Sequence, residues 1–299
     1  MHPKLSLKFC CLITSLLLFG FVNAQTASDQ TISIPKDTAD LNTRNFAREI
    51  VSEEGSNFEK SKRLLDWLSS HFEWTYTDYK TRTVNEIIIR QGGNCFELAS
   101  VYMELAGKLD IKYRMIAEVN IQPESKRRGE DADQKIKELG NKASIFGVRH
   151  NDHRWVEVYD DQSGQWIPTD PTMDLIGIDQ CLKARAWFGK RHTINDAFSK
   201  DMLFPIGIFV VERNDNSKIV EDRTEYYMIT SLNQLYHNKL SKLKSWPIWV
   251  DQLTEINNHV RAAFQGKENF HLYSKDINDL AKTYEELKTE YSALSEVHP

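Results

Sequence analysis

The chain has 299 residues and a formal net charge of −5 at neutral pH, with 27% charged and 40% hydrophobic residues. A mildly acidic balance without a concentrated basic face argues against a phosphate backbone as partner, so no nucleic acid is expected. The length suits one large domain or two small ones.

Lys4 and Lys8 precede an apolar run from Phe9 to Phe21, and Val22-Asn23-Ala24 stands before Gln25. This is the pattern of a secretory signal peptide, read as residues 1–24. The apolar run is shorter than the roughly 20 residues of a spanning helix. The expectation is a secreted or periplasmic chain with no membrane span after signal removal. Loss of Lys4 and Lys8 takes the charge from −5 to −7. Cys10 and Cys11 leave as well, so Cys95 and Cys181 remain. An oxidising compartment invites pairing of two such thiols, and the sequence leaves that open.

Residues 25–40 read as a flexible polar lead-in. A helix follows, with Phe46, Ala47, Ile50 and Val51 on one face. Ser56 and Glu59 form a capping box ahead of a second helix carrying Leu64, Leu65, Leu68 and Phe72. The stretch TVNEIIIRQ is a short helix leading to Gly92-Gly93. Beyond Cys95, the spacing of Leu98, Val101, Tyr102 and Leu105 is that of a buried helix. IKYRMIAEVN alternates as a strand, with Tyr113, Met115, Ala117 and Val119 on one side. Residues 121–150 are a charged surface excursion, read as a solvated insertion rather than a lid. HRWVEVY and QWIPTDPT are two strands joined by the turn-rich DDQSG. PIGIFVV is a further strand, helical patterning dominates from Thr230, and the last segment is an amphipathic helix. The domain reading is 41–200 for the core and 201–299 for a mostly helical C-terminal extension.

Cys95 admits two readings from its residues alone: a small buried thiol ahead of an apolar helix, or a nucleophile. The helix start favours negative charge through unpaired N–H groups and the macrodipole. Gly92 and Gly93 permit close backbone approach, and the Cys95 N–H is a candidate oxyanion donor. A nucleophilic thiol needs a base within reach. A two-residue turn at Asp161-Gln162 would set His153 opposite Asp170 in the hairpin, with Cβ atoms about 4.5–5.5 Å apart. A carboxylate there fixes the imidazole tautomer and stabilises the imidazolium.

With these residues in place, the sequence resembles the transglutaminase-like superfamily, a group of thiol enzymes with a papain-like core. The resemblance runs through Gly93-Asn94-Cys95, Asp110 to Arg114, His153 to Val158 and Trp166 to Pro171, over roughly residues 45–175. It implies a Cys95–His153–Asp170 catalytic triad: Cys95 attacks an amide or ester carbonyl, His153 transfers the proton, and Asp170 orients His153. Phe96 stands where cross-linking transglutaminases carry tryptophan, Asp110 replaces the usual glycine, and the 121–150 excursion is longer than a short link. The first departure weakens the case for cross-linking.

Other residues carry a role beside a plainer one. Asn94 is an oxyanion candidate or a helix N-cap. Gln91 is a further possible donor. Trp155 walls a cleft or fills a core, and Glu157 belongs to the site or to a strand end at solvent. His150 is a rival base, and His150 with His153, Cys95 and Asp170 can be drawn as a zinc site, a weak signal. Asp174 is an alternative acid. Cys181 is read as structural, Trp166 as core, and Trp246 and Trp249 as core rather than ligand contacts.

The resulting expectation is an α+β fold: a papain/transglutaminase-like core with N-terminal helices packed on an antiparallel sheet, plus the helical extension. The function expected is thiol-dependent acyl transfer on amide bonds of a protein or peptide substrate, hydrolytic by default, through a thioester and without metal or cofactor. The alternatives are a protein-glutamine cross-linking transglutaminase and a non-catalytic binding module.

Overall fold

A computed structural model describes residues 32–51, 54–75, 78, 80–120, 152–186, 188, 204–212, 218–268 and 273–297. The signal segment, most of the lead-in, the 121–150 excursion and His150 lie outside the described residues. Among those described, no helix is long and apolar enough to cross a membrane.

The N-terminal part is helical: α1 (Thr43–Ile50), α2 (Asn57–His71), α3 (Val84–Arg90) and α4 (Cys95–Lys108). Three of the four open on the same reciprocal device. Ser56 and Glu59 cap α2, Thr83 and Glu86 cap α3, and Asn94 and Glu97 cap α4, so at each start the N–H of the cap residue and that of the third helical residue are satisfied by side chains. Between them run two short parallel strands, β1 (Glu73–Trp74) and β2 (Gly92–Gly93). A Cβ on Gly92 would lie 2.7 Å from the Glu73 carbonyl oxygen, and one on Gly93 would lie 2.7 Å from the Glu97 Cβ. Glycine is therefore required by lack of space at both positions.

The sheet has six strands in the order β6-β5-β4-β3-β7-β8, and every neighbouring pair is antiparallel. They are β3 (Tyr113–Asn120), β4 (Asp152–Asp160), β5 (Gln165–Asp170), β6 (Leu175–Ile176), β7 (Pro205–Val211) and β8 (Ile219–Asp222). Helix α5 (Ile178–Ala186) follows β6. A π-helical turn at Tyr226–Ser231 continues as α6 (Leu232–Leu235), and the chain ends in α7 (Trp246–Phe264) and α8 (Ser274–Val297). Residues beyond 200, read from sequence as the helical extension, thus also give the sheet two strands, β7 and β8. Residues 34–299 form one compact unit.

Both faces of the central strands are covered. On β3 the expected inner set of Met115, Ala117 and Val119 is buried, and so are Ile116 and Glu118 between them. Asp110, just ahead of the strand, has φ of +59°, the left-handed region that favours glycine. The glycine expected there has been replaced by one of the few side chains that tolerate this conformation.

The hairpin differs from expectation in its register. The turn holds four residues, 161–164, and Asp160 pairs with Gln165. The Asp160 carboxylate accepts from the Ser163 N–H at 3.0 Å, and Gly164 takes φ of +67° to close the loop. Continuing the register sets Asp170 across from Trp155, two residues from His153. A slip of two preserves the face that each side chain occupies, so His153 and Asp170 become diagonal neighbours instead of direct ones.

Candidate active site

Cys95 is the first residue of α4, immediately after the capping residue Asn94. The Asn94 side-chain oxygen accepts from the Glu97 N–H, and Glu97 returns a bond to the Asn94 N–H, both at 3.0 Å. Glu97 is fixed in turn by Arg82 at 2.8 Å and Arg90 at 3.7 Å. The Asn94 side-chain oxygen therefore serves as the helix N-cap, the plainer of its two readings. The N–H groups of Cys95 and Phe96 stand ahead of any intrahelical acceptor and form the electropositive end of α4.

His153 is the second residue of β4 and is 2% exposed, Asp170 ends β5 and is fully buried, and Cys95 keeps 7% of its surface. The His153 Nε2 lies 2.7 Å from Asp170 Oδ2. Cys95 lies near enough to the same imidazole to act on its charge. An ionised carboxylate only accepts, so Nε2 carries a proton. Burial works against the imidazolium, yet the Asp170 and Cys95 charges outweigh it and raise the His153 pKa from 6.5 to about 10. Burial likewise disfavours the Asp170 carboxylate, but His153 and Arg185 together lower its pKa to about 2. The other Asp170 oxygen accepts from the N–H groups of Thr172 at 3.0 Å and Met173 at 3.3 Å.

The sequence reading missed the other half of this cluster. Glu118 on β3 pairs across from His153, and Arg185 on α5 reaches in from beside the sheet. The Arg185 Nε donates to Glu118 Oε2 at 2.5 Å and its Nη2 to Asp170 Oδ2 at 2.6 Å. The Trp155 Nε1 donates to the same Glu118 oxygen at 2.6 Å. Trp155 is fully buried with its N–H so engaged, so it lies under the site as support and walls no open cleft. Its place on the His153 face was legible from strand alternation; the partners of its N–H were not.

Gln91 is exposed and ends α3 in a left-handed conformation. Its carbonyl accepts from the Glu73 N–H at 3.0 Å. Asp174 is exposed and accepts from the Ser69 hydroxyl at 2.6 Å, while Asp170 holds the histidine. Glu157 is not at a solvent-facing strand end: it is fully buried in a second ion cluster, bonded to Arg114 and the Tyr227 hydroxyl and paired with Arg223 at 3.4 Å. Trp166 is half-buried under the Arg114 guanidinium, 4.3 Å from its ring centroid. Trp246 and Trp249 are buried. Cys181 packs with Leu175 and Ala184, and burial pushes its thiol up to about 12. Both described cysteines are free, so no disulfide joins them. Among the described residues, no group of three His, Cys, Asp or Glu side chains is placed to hold a metal ion.

Residues 44–171 match the family model described as the transglutaminase-like superfamily. No curated protein matches the chain significantly. Among solved structures, a candidate cysteine protease from Cytophaga hutchinsonii is similar over 48% of this chain and 43% of its own, at 17% identity and a TM-score of 0.32. A candidate protease from Parabacteroides distasonis is similar over 44% of this chain and 26% of its own, at 11% identity and a TM-score of 0.30. The Rad4–Rad23 complex bound to a UV lesion is similar over 86% of this chain and 53% of its own, at 11% identity and a TM-score of 0.34. The chain therefore spans between 26% and 53% of the length of these structures. The matched segment includes Cys95, His153 and Asp170, and stops short of Arg185. Residues 44–171, less than half of the chain, are thus similar to the transglutaminase-like superfamily.

Proposed function

We propose that the protein is a thiol-dependent acyl-transfer enzyme that cleaves amide bonds in a protein or peptide substrate. The observation that supports this reading is the His153 ring held by the Asp170 carboxylate at 2.7 Å, with Cys95 near enough to act on its charge. In the proposed reaction the Cys95 proton already resides on His153, an imidazolium whose Nε2–H stays on Asp170, and the sulfur is a thiolate. The sulfur attacks the carbonyl carbon, and the developing oxyanion is met by the free N–H groups at the start of α4. Collapse breaks the C–N bond, and the imidazolium gives its proton to the leaving amine. Water, deprotonated by the same imidazole, then opens the thioester and restores the thiolate beside the imidazolium.

The N-terminal segment, read as a signal peptide, supports export of the chain. The test is alkylation of Cys95 with iodoacetamide at neutral pH beside hydrolysis of a peptide mixture, both followed by mass spectrometry. Cys95 is expected to react faster than a model thiol, and Cys95→Ala to abolish hydrolysis. An unreactive Cys95, with no loss of biological activity in Cys95→Ala, would make the chain a binding module instead. Incorporation of an added primary amine in preference to water would make it a cross-linking enzyme.

A further inference from the structure

The cluster around His153 has an uneven charge count. Glu118 and Asp170 are both fully buried carboxylates, and Arg185, 2% exposed, is the guanidinium that bonds to both. The Arg185 Nη1 donates to the Cys181 carbonyl at 3.2 Å, and its guanidinium lies 5.0 Å from the Trp155 ring centroid, so the side chain is held along its length. Arg154, next to His153 in β4, turns to the other face, where it lies over the Phe264 ring at 5.6 Å. One buried negative charge is left over in the set, and an uncompensated buried charge is strongly unfavourable. Among the described residues, the remaining group there that can become a cation is the His153 imidazole. It faces Glu118 from β3, Asp170 from β5 and Cys95 from α4, with Arg185 of α5 one bond away.

We propose that Glu118 and Arg185 are positioning residues of the thiol site: Arg185 pins Asp170 to the ring, and the surplus carboxylate charge keeps that ring an imidazolium. The inference rests on the Cys95–His153–Asp170 reading. Arg185 alone, bridging two acids, would over-fix Asp170 as a partner of arginine. Glu118 alone would leave two carboxylates repelling across the strands. Together they deliver to His153 the equivalent of one unpaired carboxylate, oriented at a single oxygen.

The test is the titration of His153 by NMR in the full chain with ¹⁵N-labelled histidine, the resonance being assigned by its loss in His153→Gln. Glu118→Gln is expected to lower the midpoint by about one to three units, the effect of removing an opposite charge at close range. Glu118→Asp returns it toward the parent value. Arg185→Gln removes a cation, so its midpoint stays at or above that of the parent. A purely structural role would loosen the site in both variants and move both midpoints down, and that result overturns the proposal. An unmoved midpoint in Glu118→Gln overturns it as well. If Glu118→Gln does not fold, Arg185→Lys against Arg185→Gln supplies the same comparison. A parent chain whose His153 already titrates near its ordinary value, with a sluggish Cys95, defeats the thiol-site reading first. A raised parent midpoint that no variant moves defeats only the role of Glu118 and Arg185.

Discussion

The face of the sheet that carries His153 holds two buried ion clusters side by side, and they are built differently. Around Glu157, two carboxylates meet two guanidiniums: Arg114 and Arg223 pair with both Glu157 and Glu221, and the Tyr227 hydroxyl closes the set. No member there is a histidine or a thiol. Burial and the Glu157 charge push the Tyr227 phenol well above its ordinary value, so it stays a neutral donor. Around Asp170, two carboxylates meet one guanidinium, and the shortfall falls on the imidazole that Asp170 holds. A balanced cluster, buried at Glu157 and open to solvent at Glu221, ties β3, β4, β8 and the π-helical turn together. A cluster one cation short keeps a proton in play.

The largest expected effect bears on the unbalanced cluster. His153→Ala is expected to slow iodoacetamide alkylation of Cys95 and peptide hydrolysis by about 10²–10⁴, the range for loss of an acid–base partner. Equal rates in variant and parent would sink the distinction between the clusters. On the balanced side, Glu157→Ala strands Arg114, Arg223 and Tyr227 without their acceptor and is expected to cost about 3–5 kcal/mol. Urea unfolding measures this, and the variant that remains folded should alkylate at Cys95 like the parent.

The pH dependence of stability separates the clusters again. His153 has a folded pKa of about 10 against 6.5 unfolded, so its contribution is complete below the unfolded value and is lost as pH rises through the folded one. Asp170 has a folded pKa of about 2 against 3.8, so its contribution is present above the unfolded value and fades as acid is added through the folded one. Unfolding free energy in the parent should decline from about pH 6.5 toward pH 10, and His153→Gln should flatten that slope. A parent curve already flat over the interval would mean that the ring titrates as in free peptide.

Smaller effects test the scaffold. Gly93→Ala drives a Cβ against Glu97 and is expected to cost about 1–3 kcal/mol through the α4 cap. Its Cys95 alkylation rate should fall with it, which a change confined to stability would not produce. The smallest expectation is remote from both clusters: Asp110→Gly relieves a left-handed residue and should raise the unfolding midpoint by the equivalent of about 0.5 kcal/mol.

The local grammar of this chain is plain in its sequence. Ser56 with Glu59 starts α2, the spacing of Leu98, Val101, Tyr102 and Leu105 marks α4, and PIGIFVV is a strand, because caps and periodicities act over a few residues. The meeting of His153 with Asp170 was legible in kind and mistaken in register. The turn residues DDQSG permit two lengths, and the Asp160 bond to Ser163 that selects the longer is visible only once folded. Glu118 and Arg185 were passed over for a physical reason. A charge inside an alternating strand, or on a helix rich in polar residues, looks solvated until its counter-charge arrives from 67 residues away in sequence. The short strands β6 and β8 had no periodicity long enough to register.

The burial of Cys181 has a practical corollary. Residues 34–299 contain two sulfhydryls, and one is sealed among Leu175 and Ala184 with its ionisation pushed to about 12. In a chain lacking residues 1–24, a fluorescent or isotopic tag added in neutral buffer is therefore expected to mark Cys95 and spare Cys181. That gives a clean optical or magnetic reporter at the head of α4, with no need to engineer the second sulfhydryl away.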